Sequence, residues 1–187
     1  MSPGDVPAEV VPVGSVHEVA CAVVVAHLGA VVGLPARPGP ALPLDPAAGP
    51  RVDATALIRL LAEERPPDRL RVGVTDLDLS LPVFTHLYGE ADVGGGVAVA
   101  SLYRLQADAA PRHLVYQRLA KVACHEAGHA LGLRHCNRPG CLMRFAGRLE
   151  ALDRLALAFC DDCAAALAVG RALLAEARRD GGSGRQE

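Results

Sequence analysis

The sequence has no tryptophan and few aromatic residues of any kind, since three Tyr and three Phe make up 3% of its 187 residues. Hydrophobic residues nevertheless account for 51% of the chain. Ala, Val and Leu must therefore fill the core, and a chain of this length can build one domain around such a core.

Long runs of charge of either sign are also missing, and the formal net charge is −2. A protein that binds nucleic acid or anionic lipid through its charge carries a basic patch or run. The composition therefore favours neither partner, and it leaves the class of substrate open.

One apolar stretch, residues 19–34, is short for a membrane span, which needs about 20 apolar residues. No Lys or Arg precedes it, whereas Asp5, Glu9 and Glu18 do. A secretory signal should begin with a basic region. We therefore expect a buried helix here, no membrane association and a cytoplasmic protein.

Hydrophobic periodicity and turn residues predict a mixed fold. Strands and helices alternate in the first half, which indicates a mixed sheet with helices packed on it. We expect one domain over residues 1–180, with a sheet-and-helix part at 10–132, a C-terminal part at 133–180 and a disordered tail at 181–187. The expected strands are Val10–Val13, Arg71–Thr75, two around Gly94–Gly96 and a short one near Ala41–Leu44, and the expected helices are 19–34, 52–65, 111–132 and Cys160–Arg179.

The segment "CHEAGHALGLRHCNRPGCLM", residues 124–143, is rich in metal-binding residue types. His125 and His129 are four residues apart in a predicted helix, so both imidazoles lie on one face. Glu126 projects to the side, where it can take a proton from a water molecule on the metal. A helical His pair alone is also compatible with a solvated surface.

Gly132 and His135 extend this pattern to HExxHxxGxxH. A glycine at the end of a helix permits a left-handed turn, which can bring His135 back to the same metal. Three His ligands leave a fourth position open for water, as in catalytic zinc sites. We therefore predict a catalytic zinc, with Glu126 as the general base and acid.

Four cysteines predict a second metal site: Cys136 and Cys141 follow His135, and Cys160 and Cys163 form a CxxC at a helix start. Four thiolates suit a closed, structural zinc. A redox CxxC or local disulfides are the alternatives, although disulfides are rare in a reducing compartment. The remaining Cys and His are expected to be ordinary core or surface residues: Cys21, Cys124, His17, His27, His86 and His113.

These residues together resemble the archaemetzincin family, which combines HExxHxxGxxH with HC-x4-C-x-M and a downstream CxxC. The segments "GVTDLDL", "YGEA" and "ASLYRL" are also similar to the family, so the resemblance spans about residues 10–170. The matching motif positions are His125, Glu126, His129, Gly132, His135, Cys136, Cys141, Met143, Cys160 and Cys163.

The resemblance implies a compact α+β zincin fold: a twisted mixed sheet, an active-site helix and a short C-terminal subdomain around a turn at Met143. It also implies two zinc ions, one catalytic and one structural. A peptide or protein substrate would lie beside an edge strand within Leu87–Ala100, and the activity would be that of a metallopeptidase, aminopeptidase-like in some relatives. A monomer is favoured.

The alternative function is a non-enzymatic, zinc-stabilised peptide-binding module. The cysteine site and an edge strand would suffice for that role. Glu126 argues against it, because a structural metal has no use for a base outside its ligand set.

Overall fold

The computed structural model describes residues 7–44, 49, 51–63, 65–66, 68–82 and 87–182. Its strands are β1 (Ala8–Val13), β2 (Ala36–Pro38), β3 (Arg51–Asp53), β4 (Leu70–Thr75), β5 (Asp78–Ser80), β6 (Gly89–Asp92) and β7 (Val97–Ser101). Five of them form one sheet in the order β2-β1-β4-β7-β6, and β3 pairs with β5. All neighbours in the large sheet are parallel except β6 and β7, so β6 is an antiparallel edge strand.

The helices are α1 (Glu18–His27), α2 (Ala54–Glu63), α3 (Arg112–Ala130), α4 (Leu149–Asp153) and α5 (Asp161–Gly182). Alternate residues of each strand face opposite sides of the sheet. Val10 accordingly packs in the core that contains α1 and α3, whereas Val11 packs in the core that contains α2. The predicted α+β class, with helices on a mixed sheet, is confirmed.

Some boundaries differ from the sequence prediction. The apolar stretch at 19–34 does form a buried helix, α1, which continues as a π-helical turn to Val32. The short strand expected near Ala41–Leu44 forms instead at β2, and Leu42 makes only an isolated bridge. Pro40 and Pro43 flank that bridge, and proline cannot donate to a ladder.

The C-terminal helix α5 is longer than predicted. It reaches Gly182, so the first two residues of the expected tail are helical. Residues 183–187 lie outside the described part of the chain. No helix of the described residues has the length and apolar character needed to cross a membrane.

The turn between β6 and β7 is attached to the end of α3. The amide of Gly94 donates to the carbonyl of His129, and the amide of Gly96 donates to that of Ala130, both at 3.0 Å. The two glycines have φ of 75° and 74°, a region that other residues rarely adopt. These bonds fix the edge strand β6 beside the helix that carries the HExxH residues.

Candidate active site

The C-terminal end of α3 closes with the left-handed turn expected from the sequence. Gly132 has φ of 94°. Its amide donates to the His129 carbonyl at 2.8 Å, and the Leu133 amide donates to the Gly128 carbonyl at 2.9 Å. This bond pair is a Schellman motif, which ends a helix and redirects the chain.

The redirected chain brings His135 to the two histidines of α3. The ring centroid of His135 lies 5.3 Å from that of His125 and 4.7 Å from that of His129. One nitrogen of each ring lies within 4.8 Å of the other two. The predicted triad is therefore assembled at one point, at a spacing that one metal ion could bridge.

The hydrogen bonds of His125 and His129 indicate which ring nitrogens are unprotonated and can therefore bind a cation. Nδ1 of His125 lies 2.7 Å from the Leu142 carbonyl oxygen, and Nδ1 of His129 lies 2.8 Å from that of Leu133. A carbonyl only accepts, so each Nδ1 carries the proton and each Nε2 of a neutral ring does not. Burial lowers the pKa of His125 to about 4, which favours the neutral ring.

Two unprotonated nitrogens therefore face each other, since the Nε2 atoms of His125 and His129 are only 3.0 Å apart. Neither atom can donate to the other, and a cation between them resolves the repulsion. Ligands about 2.0–2.1 Å from a tetrahedral zinc lie roughly 3.3 Å apart, close to this spacing. The donor set thus fits zinc, with carbonyl partners that hold the rings in orientation.

Glu126 lies at the base of the same cleft, against the start of β6. A Cβ atom added to Gly89 would lie 2.6 Å from Cγ of Glu126 and 2.9 Å from its Oε1. Burial, with a smaller contribution from the charge of Glu90, raises the pKa of Glu126 to about 8. A cation held by the histidines would lower that pKa again, because an opposite charge favours the carboxylate.

Met143 packs against α3, close to Gly128. It is fully buried, and a Cβ atom at Gly128 would lie 2.7 Å from its Sδ. The preceding residue, Leu142, supplies the carbonyl that orients His125. The turn therefore supports the centre through both packing and a hydrogen bond.

The four cysteines also converge, with their Sγ atoms within 4.8 Å of one another. Sγ of Cys136 and Sγ of Cys160 are 3.8 Å apart, which is the separation expected for thiolates about 2.3 Å from a tetrahedral zinc. The amide of Cys163 lowers the pKa of Cys160 to about 7, as at other helix starts. The set fits a second, closed metal site.

The other thiols and imidazoles lie outside these clusters. Cys21 and Cys124 are buried, and burial raises the pKa of both, that of Cys124 to about 12. His17 accepts a hydrogen bond at the start of α1, and Nδ1 of His27 lies 2.7 Å from the Val23 carbonyl. His113 is exposed, and His86 lies outside the described residues.

A cleft of about 730 Å³ contains the histidine triad and Glu126. It separates the edge strand β6 from the loop that follows Met143. Apolar side chains of Val122, Leu142, Leu152 and Leu155 line the cleft, and its charged lining residues besides Glu126 are Glu90, Lys121, Arg134 and Arg144.

Sequence reasoning did not assign several of these lining residues. Glu90 lies within the predicted edge-strand region, but its side chain carried no spacing signal. Lys121 lies one turn before His125 and also lines the cleft. Phe145 packs edge-on against His135, with ring centroids 5.4 Å apart. The one feature of the sequence that could have indicated a role for Phe145 at the site is its position two residues after Met143.

Comparisons with known proteins show the family to which the chain belongs. Residues 63–169 match the model of peptidase family M54. The chain belongs to peptidase family M54. The match includes the edge strand, the histidine triad and all four cysteines, so the resemblance to archaemetzincins is confirmed.

An M54 relative, the archaemetzincin of Archaeoglobus fulgidus, is 38% identical over 112 residues, which cover 60% of this chain and 66% of the relative. Other curated archaemetzincins are matched over about half of their length. The crystal structure of the A. fulgidus protein with malonate has a TM-score of 0.72 and 30% identity, and covers 85% of this chain and 99% of that one.

A zinc-dependent peptidase from Methanocorpusculum labreanum also shares the fold. Its crystal structure has a TM-score of 0.72 and 26% identity, and covers 86% of this chain and 99% of that one. The M54 fold of this chain therefore extends well beyond the residues that align by sequence.

Proposed function

We propose that this M54 protein is a zinc-dependent peptidase. The observation that carries the proposal is the convergence of three histidine nitrogens and the Glu126 carboxylate in one cleft, beside an edge strand. The names of its relatives, archaemetzincin and zinc-dependent peptidase, support a peptide or protein substrate.

His125, His129 and His135 would hold the catalytic zinc. When bound, zinc polarises a substrate carbonyl and makes a water molecule more acidic. Glu126 would accept the proton of the attacking water at its carboxylate and deliver it to the leaving amine. Among the described residues β6 is the last strand of the sheet, and an extended peptide could pair along its outer edge.

We propose that Cys136, Cys141, Cys160 and Cys163 hold a second, structural zinc. This site would join the start of α5 to the loop that carries His135 and Met143. The count of two ions per chain follows from the two separate donor sets found among the described residues. Monomeric state and cytoplasmic location stay predictions.

The test is cleavage of a diverse peptide mixture by the zinc-loaded protein, read by mass spectrometry. Glu126→Gln should retain zinc at both sites, measured by elemental analysis, while hydrolysis falls by at least a hundredfold. Glu150→Gln, an exposed carboxylate on α4 that does not line the cleft, is the matched control and should cleave normally.

The same data decide the mode of cleavage. Products shortened from the amino terminus would establish the aminopeptidase-like activity, which stays a hypothesis here, and internal cuts would establish an endopeptidase. Full activity in Glu126→Gln would contradict the mechanism. Absence of any cleavage by the wild type would favour the alternative of a peptide-binding module.

A further inference from the structure

Phe145 is an apolar residue of the cleft to which the proposed mechanism gives no task. It is 64% exposed, which makes it the most exposed of the large apolar side chains that the structure describes. It lines the same cleft as the histidine triad and Glu126. Single exposed apolar residues are common on protein surfaces, but one that lines a concave site is placed to contact a ligand.

The ring of Phe145 is held between two neighbours. It packs against the imidazole of His135, with ring centroids 5.4 Å apart and an angle of 68° between the planes. Its Cε1 atom lies 3.3 Å from the place that a Cβ atom of Gly147 would occupy. Because His135 would bind the catalytic zinc and strand residues are about 3.3 Å apart, the ring lies within one or two substrate residues of the bond to be cleaved.

The direction of β6 predicts which part of a substrate reaches each end of the cleft. The strand begins at Gly89, beside Glu126, and the turn that follows it is bonded through Gly94 to the carbonyl of His129. It therefore runs in the same direction as the last turns of α3. A peptide that pairs antiparallel with β6, the more stable arrangement per residue, runs the opposite way, with its amino-terminal part near the end of α3.

Different side chains line these two ends. His135 follows the end of α3, so its contact places Phe145 there, and Val93, directly before Gly94, is 58% exposed and lines the cleft at this end. Leu152 lies at the opposite end, because its carbonyl accepts a hydrogen bond from Lys121, one turn before the HExxH residues. Phe145 is therefore on the side that receives the residues before the bond.

We propose that Phe145 is a specificity-determining residue that binds a large apolar side chain of the substrate, one or two residues on the amino side of the bond to be cleaved. Contact between the two side chains would remove an exposed ring from water. An aromatic substrate residue would gain more, because ring pairs attract each other beyond the area that they bury. The proposal rests on the proposed peptidase function and deepens it.

The experiment measures binding without cleavage, by calorimetry on zinc-loaded Glu126→Gln protein and on the same protein with Phe145→Ser added. The short peptides are blocked at both ends and contain one constant Leu, which is intended for the apolar lining around Leu152. They differ only in the two positions before this Leu, which are Ser-Ser, Phe-Ser or Ser-Phe. Leu173→Ser is the matched control, because Leu173 is 61% exposed on α5 and does not line the cleft.

One of the two Phe peptides should bind roughly five- to tenfold more tightly than the Ser-Ser peptide. Phe145→Ser should reduce that ratio to near one, and Leu173→Ser should leave it unchanged. Phe145→Leu should give an intermediate ratio, since an apolar side chain remains. Affinity for the Ser-Ser peptide and zinc content should be similar in all variants, which separates loss of this contact from a general disturbance of the site.

The wild-type protein then shows the side of the bond. Mass spectrometry of its products should place the cut after the Phe of the preferred peptide, within two residues. The proposal is overturned if neither Phe peptide is preferred, if the preference survives Phe145→Ser, or if the cut falls before the Phe. Failure of the proposed function gives a different pattern, in which no peptide is cleaved while the Phe145-dependent preference in binding is still present.

Discussion

Gly89 is the residue that lets the edge strand approach the carboxylate of Glu126. A Cβ atom there would lie 2.6 Å from Cγ of Glu126 and 2.8 Å from the carbonyl oxygen of Val99. The backbone oxygen cannot easily move, because it belongs to the neighbouring strand β7. Any larger side chain must therefore displace Glu126.

We predict that Gly89→Ala lowers kcat/KM by roughly 10- to 100-fold, since displacement of a catalytic group by about 1 Å has effects of this size. Zinc content at the histidine triad should not change. Steady-state kinetics and elemental analysis check both statements.

The matched control is Gly29→Ala, in the π-helical turn after α1. A Cβ atom at Gly29 would meet nothing within 4 Å, so this variant should keep wild-type activity. If Gly89→Ala also cleaved peptides at the wild-type rate, the position inferred for Glu126 as the base would be wrong.

For individual residues, the sequence predicts those positions that are determined by spacing along a helix or a turn. The positions of His125, His129 and Glu126 follow from helical periodicity, and the approach of His135 follows from Gly132. The contact of Gly89 with Glu126 could not be predicted, because the two residues are about 37 positions apart along the chain. The pairing of β6 with β7 and the hydrogen bonds of Gly94 and Gly96 to the end of α3 bring them together.

Arg118 connects three elements of the fold. It is buried on α3, and it forms paired hydrogen bonds with Asp108 in the loop before α3 and with Asp153 at the end of α4. These bonds hold the pKa of Asp108 at about 2 and lower that of Asp153. The cluster fixes α4, whose Leu152 lines the cleft.

Both carboxyl groups have a lower pKa in the folded state than the ordinary value of 3.8. Their contribution to stability is therefore fully present above about pH 4 and is lost at lower pH, for Asp108 as the pH falls through about 2. We predict that Arg118→Met unfolds at lower denaturant concentration than wild type at pH 7. The difference in unfolding free energy should stay constant from pH 7 to about pH 4 and decrease below it, as chemical denaturation at each pH would show.

Arg59→Met, an exposed arginine of α2, is the control for loss of one charge and should have little effect at any pH. Metal release in acid affects wild type and variant alike, so it cancels in the difference. A difference that grew towards low pH would contradict the assigned ion pairs.

Elements with strong periodicity were predictable, and those defined by pairing were not. The stripe of Leu119, Ala123, Ala127 and Ala130 on α3 is buried, as predicted. Strands β2, β3 and β5 have three residues each, which is too short for an alternating pattern. They form because they find hydrogen-bonding partners: β2 pairs with β1, and β3 pairs with β5.

The whole molecule is joined at the cysteine cluster. Cys136 and Cys141 follow the histidine triad directly, and Cys160 and Cys163 open α5. Helix α5 in turn packs closely on the end of α3, since a Cβ atom at Gly170 would lie 2.3 Å from the Leu131 carbonyl oxygen. A metal at the cysteines would therefore hold the last helix, the Met143 turn and His135 in one arrangement.

We predict that Cys160→Ser reduces zinc content from two ions to one per chain and lowers the melting temperature by about 10 °C. A ligand held at 100 to 1,000 times its Kd stabilises a fold by roughly 3–4 kcal/mol, and each kcal/mol is worth about 2–4 °C in a chain of this size. Elemental analysis and thermal unfolding measure the two effects.

Cys21→Ala removes a buried thiol outside the cluster and should leave both zinc ions in place. Peptidase activity should fall less in Cys160→Ser than in Glu126→Gln, because the cysteine site positions His135 and Met143 without contacting the substrate. If Cys160→Ser kept two zinc ions and the wild-type melting temperature, the four cysteines would not form a metal site. The C-terminal part, residues 133–180, would then depend on apolar packing alone, through residues such as Leu142, Leu167 and Leu174.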